Sequence, residues 1–104
     1  MLVHVTMTHS ADDCPGYHTE QMPALTAALE GLDQLGKELN VKAHSLMWGA
    51  PDHVAYAVLE ADSLLAIGRY LNSIPIIQDF EITPVEHVSD VIAFGKAAMA
   101  KSKK

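Results

Sequence analysis

Basic residues are scarce in this chain of 104 residues: seven Lys and Arg stand against thirteen Asp and Glu, a net charge of −6. Binding to a phosphate backbone needs clustered positive charge, so nucleic acid is not an expected partner. Four of the basic residues (Lys96, Lys101, Lys103 and Lys104) fall in the last nine positions. They read as a solvated basic tail on a helix end. Cysteine is scarcer still. The single Cys14 cannot close an internal disulfide, and a reducing, cytoplasmic setting is expected. No apolar run approaches the roughly 18 residues that span a bilayer. The opening Met1-Leu2-Val3-His4-Val5 lacks a basic region followed by an apolar core, so no signal peptide is expected. Glycines occur in neither Walker nor dinucleotide spacing, which disfavours nucleotide cofactors. There is no repeat or low-complexity segment.

What the chain does have is enough apolar content, 49%, for one modest core. Residues 1–9 alternate as a strand, with Val3, Val5, Met7 and His9 on one face and Leu2, His4, Thr6 and Thr8 on the other. Residues 10–21 are polar, contain Pro15 and Gly16, and read as a loop. A helix begins near Met22-Pro23, carries Leu25, Leu29, Leu32, Leu35 and Leu39 on one face, and ends at Asn40. Gly31 and Gly36 weaken it, which fits a closely packed neighbour. Residues 41–48 and 53–60 read as strands joined by the turn Gly49-Ala50-Pro51-Asp52. A second helix follows an Asp62 or Ser63 cap, with Leu64, Ile67, Gly68 and Leu71 on its apolar face, and stops before Pro75. A fourth strand runs through 79–85, with Pro84 best placed on an edge. Ser89 or Asp90 then caps a C-terminal helix. The order β-α-β-β-α-β defines an α+β, ferredoxin-like antiparallel sheet over residues 1–88. Residues 89–104 form the extra C-terminal helix and basic tail. Leu2, Leu46, Trp48, Val54, Tyr56 and Val58 would lie on the sheet face without helices, too apolar for open water. A homodimer is therefore expected.

The residues suited to chemistry cluster in the loop after the first strand. His9, Cys14 and His18 offer imidazole and thiolate, which suit Zn or Cu, with His44 or His53 completing a set. The spacing H-x4-C-x3-H matches no standard zinc motif, and Pro15-Gly16 breaks any helical pairing of Cys14 with His18. The same residues also read as an incidental polar loop, or as a thiolate with a nearby proton carrier. His4 and His44 could face each other across paired strands. Either one beside Glu60 or Glu81 would make an acid–base pair. Trp48 and Tyr56 read as interface aromatics.

Met1–Met7, the stretch His53-Val54-Ala55-Tyr56-Ala57-Val58-Leu59-Glu60-Ala61-Asp62 and the closing Glu81–Val85 resemble the dimeric α/β-barrel superfamily. The opening and the segment from Trp48 to Ile77 look like its muconolactone isomerase branch. The His9–His18 loop is similar to that of small, uncharacterised members. This resemblance implies two ferredoxin-like sheets packed face to face, and a pocket between sheet and helices with the end of strand one at its mouth. Three functions follow as expectations. The first is a homodimer binding a transition metal or small ligand through His9, Cys14, His18 and His53. The second is a cofactor-independent isomerase-like enzyme acting on a small carbonyl or lactone, with His4, His44 and Glu60 as proton carriers. The third is a structural or assembly subunit without catalysis.

Overall fold

The computed structural model describes residues 1–102; Lys103 and Lys104 of the basic tail lie outside the described residues. Strand β1 spans Leu2–Thr8 and leads into three short 3₁₀ turns, Ala11–Asp13, Pro15–Tyr17 and Thr19–Gln21. Helices α1 (Met22–Glu30) and α2 (Leu32–Leu39) follow, then β2 (Lys42–Gly49), a 3₁₀ turn at Ala50–Asp52 and β3 (Val54–Glu60). Helix α3 (Leu64–Asn72), strand β4 (Asp79–Pro84) and helix α4 (Val88–Ser102) complete the chain. The strands form one antiparallel sheet in the order β2-β3-β1-β4, which is the ferredoxin-like topology expected from the sequence.

One face of the sheet carries the core. Val3, Val5 and Met7 of β1 and Ala55, Ala57 and Leu59 of β3 pack with Leu25, Leu32, Ile67, Tyr70, Leu71 and Ile74. Each strand contributes every second residue, as a pleated ribbon with one buried face must. The single helix read over 22–40 is two helices meeting at Gly31. With no Cβ, that residue gives up helical order most readily. Asn40 ends α2 in the left-handed conformation, φ 56°, which Asn tolerates better than most residues. Ser63 is the cap of α3, its hydroxyl accepting from the Ala66 N–H at 3.0 Å. Pro84 sits on the edge strand β4, where its missing N–H leaves no ladder bond unmade.

Two further expectations need correction. Helix α4 starts before the expected Ser89 or Asp90 cap, because the His87 carbonyl already accepts from the Asp90 and Val91 N–H groups. Leu46 and Trp48 are not on the helix-free face. A bulge between Ala43 and Ser45 shifts the register, so that Leu46 pairs with Ala57 and Trp48 with Ala55, both residues of the helix-packed face. An extra residue in one strand of an antiparallel pair flips every later side chain to the opposite face. The helix-free face instead presents Leu2, His4 and Thr6 from β1, Val54, Tyr56 and Val58 from β3, and Met47 from β2.

Candidate metal centre

Three elements converge beyond the C-terminal end of β1. His9 directly follows the strand and donates its backbone N–H to the His53 carbonyl at 3.2 Å, which ties the first loop to the start of β3. Cys14 lies between the first two 3₁₀ turns and is a free, half-buried thiol. His53 closes the β2–β3 connection with φ 55°, a left-handed backbone that is uncommon for residues other than Gly, though His is among those enriched there. One donor atom from each of His9, Cys14 and His53 can be chosen so that all three lie within 4.8 Å of one another.

The two imidazoles are poorly served by the protein itself. Among the described residues only three buried side-chain polar atoms lack a hydrogen-bond partner, and two of them are His9 Nε2 and His53 Nδ1. A buried polar atom without a partner forfeits hydration and gains nothing in return, so such atoms are rare and need a reason. Burial, followed by the neighbouring His53, pushes the His9 imidazole below the ordinary range, with Asp13 opposing. The neutral ring, with a free lone pair, is thereby favoured. Trp48 stacks on His9, with ring centroids 5.5 Å apart and planes 29° from parallel. Tyr17 lies 6.3 Å from the His53 ring, and the two histidines meet edge to face at 5.2 Å. A cavity of about 390 Å³ bordered by Asp13, Gln21, Asn72 and Ile74 opens beside the loop.

The sequence-derived set is thus divided. His9, Cys14 and His53 come together, whereas His18 turns away. Its Nε2 bonds the Asp12 carbonyl oxygen, and its Nδ1 lies 3.5 Å from Glu20 Oε1. The first contact occupies Nε2 within the loop, and Glu20 stands beside Nδ1. Trp48 was not read as part of this site, because its place beside His9 depends on the bulge.

A second group occupies the other end of the sheet. His44, the residue at the bulge, bonds Glu60 Oε1 through Nε2 at 2.7 Å, and His87 approaches to 6.4 Å between ring centroids. This bond holds the Glu60 carboxyl below its ordinary value, helped by Lys42 and the N-terminal amine. His4 does not face His44 across paired strands, as was expected. Strand β3 lies between β1 and β2, and His4 is flanked by Val58 and Thr83 with its ring 6.0 Å from that of Tyr56. Glu81, the other carboxylate considered, pairs with Thr6 on the far side of β1.

No protein-family model matches the sequence, and no curated protein sequence does. Among solved structures, the chain is similar to a crystal structure of muconolactone isomerase, with a TM-score of 0.53 and 28% identity. The match covers 84% of this chain and 91% of that one. The likeness expected from the strand residues is therefore present at the level of the whole ferredoxin-like fold.

Proposed function

We propose that this protein binds one transition-metal ion, Zn or Cu, through His9, Cys14 and His53. The observation that carries the reading is the pair of buried, unpartnered imidazole nitrogens beside a free thiol. A metal bond is what a lone pair in that position lacks. All three donors lie within 4.8 Å of one another, near the separations that ligand bonds of about 2.0–2.1 Å from His and 2.3 Å from Cys require. The strained backbone at His53 supports the same reading, since Gly or Asn would make the turn more easily but would supply no imidazole. Three protein donors leave a fourth position open, as in sites that exchange a ligand or act on a substrate.

The test is the metal content of protein purified without a histidine tag. The wild-type chain and His18→Ala should carry close to one equivalent, and Cys14→Ala and His9→Ala should carry almost none. Equal content in all four would overturn the assignment.

A second reading, an isomerase-like enzyme that moves a proton next to the carbonyl of a small lactone, is favoured by the His44–Glu60 bond and by the muconolactone isomerase likeness. In this reading Glu60 takes the proton, His44 orients the carboxylate, and His4 lies on the same sheet face. The pair is open to solvent in a single chain, with the His44 and Glu60 side chains 29% and 51% exposed. A second copy laid over that face would enclose it. The isomerase reading therefore needs the homodimer, whereas the metal reading does not.

A further inference from the structure

We infer that the His9–Cys14–His53 centre is a trigonal copper site of the electron-transfer kind, in which one copper ion cycles between Cu(II) and Cu(I). The inference rests on the metal-binding reading above and goes further, to the identity of the metal and what it does. Its first support is the donor set. Two imidazoles and one thiolate in a trigonal arrangement, with nothing stronger than a weak axial contact, are the combination that copper uses for single-electron transfer. Zinc held by three protein donors instead completes a tetrahedron with a water or substrate as a fourth strong donor.

The second support is what surrounds the three donors. Two other side chains of the same loop that could act as ligands make contacts of their own. His18 is held by the Asp12 carbonyl and Glu20, and the Asp13 carboxylate accepts the Ser10 hydroxyl at 3.0 Å. Among the described residues the donor group contains His9, Cys14 and His53 and no fourth member. Three donors of this softness satisfy Cu(I), and the same three hold Cu(II) without rearrangement, so little has to move when the charge changes.

The third support is the route to the surface. The Trp48 indole lies against the His9 ring and is 45% exposed. An aromatic plane therefore connects the ligand shell to solvent, where a redox partner can approach. The step is simple in its balance. Cu(II) gains one electron from a one-electron reductant of the ascorbate or quinol class and becomes Cu(I). No protein bond is broken, no proton is moved, and the electron leaves again to an acceptor of higher potential.

The experiment is a titration of the untagged, metal-free full chain with Cu(II), followed by visible absorption and electron paramagnetic resonance. One equivalent should produce an intense sulfur-to-copper charge-transfer band and a narrow copper hyperfine pattern. Ascorbate should bleach the band and ferricyanide should restore it. Cys14→Ser should lose the band while His18→Ala keeps it. Copper bound without that band, with the broad hyperfine pattern of ordinary tetragonal sites, overturns the copper inference. So does one equivalent of zinc bound under conditions where copper merely oxidises the thiol. In both cases zinc retention by the wild type and its loss in Cys14→Ala would leave the metal-binding reading standing. Failure of both metals to bind would overturn the two together.

Discussion

The His44–Glu60 bond shows how one residue biases another's protonation. Hydrogen bonding to His44, aided by Lys42 and the N-terminal amine, favours the charged carboxylate and lowers its pKa from the ordinary 4.5. A group whose pKa is depressed on folding stabilises the fold above its unfolded value, and that contribution disappears as the pH falls through the folded value. The contribution of this pair is therefore complete at neutral pH and is lost only in acid, below pH 4.5. A carboxyl titration followed by NMR should place the Glu60 midpoint below that of an exposed glutamate, and His44→Ala should return it upward. A midpoint that does not move in the variant would show that His44 is a neighbour and not the cause. The same carboxylate is the proton acceptor of the isomerase reading. Glu60→Gln should then abolish proton exchange next to the carbonyl of a small lactone while leaving the metal content of the chain unchanged.

At the scale of elements, local chemistry accounts for most of the fold, and long-range register accounts for what the sequence did not reveal. Alternation identified β1 and its buried Val3, Val5 and Met7, and the leucine spacing identified the first helical segment with its end at Asn40. The His9–Cys14–His53 group is partly legible. His9 and Cys14 share a loop, but His53 joins them only because β3 pairs with β1 so that Thr8 lies opposite Val54. His53, expected in the set, joins it through this pairing, and the stacking of Trp48 likewise depends on pairing that spacing along the chain does not encode; His18, also expected, is left out. The bulge at residues 43–45 had no sequence marker, since no Gly or Pro stands there, yet it re-aims Trp48 and sets His44 beside Glu60. The glycines separate in the same way. A Cβ on Gly36 would meet the Val41 carbonyl oxygen at 2.7 Å, whereas one on Gly68 would meet nothing within 4 Å. Gly36→Ala should therefore destabilise the protein by about 1–3 kcal/mol through overpacking of the α2–β2 corner. Gly68→Ala, inside α3, should stabilise it by about 0.5–1 kcal/mol through helix propensity alone. Denaturant melts of the two variants check the pair, and equal effects would show that the α2–β2 approach is looser than described.

A single copy of the chain is extended for its length. Its radius of gyration is 17.6 Å and its dimensions are 66 × 30 × 17 Å, against about 13 Å expected for a compact chain of 100 residues. Helix α4 accounts for much of the excess. None of its residues is buried, and Val88, Val91, Ile92, Phe94 and Met99 are all more than half exposed. The helix-free sheet face adds Met47, 65% exposed, and Tyr56, 45% exposed. Apolar surface on this scale, on both an arm and a sheet, is costly in water and is what an interface between copies removes. A two-fold arrangement covers both copies at once, because each copy presents the same self-complementary patch. It also brings a wall of protein over His4, His44 and Glu60, which a single chain leaves in solvent, while the end of β1 carrying His9 and Cys14 lies at the opposite end of the sheet. Sedimentation of the full chain should therefore give a dimer. Tyr56→Asp, a charge at the centre of the sheet face, should shift it toward monomer with the circular dichroism of the folded chain retained. A wild-type monomer would remove the basis for enclosing the His44–Glu60 pair and with it the isomerase reading. It would leave the metal reading standing, since His9, Cys14 and His53 all come from one copy.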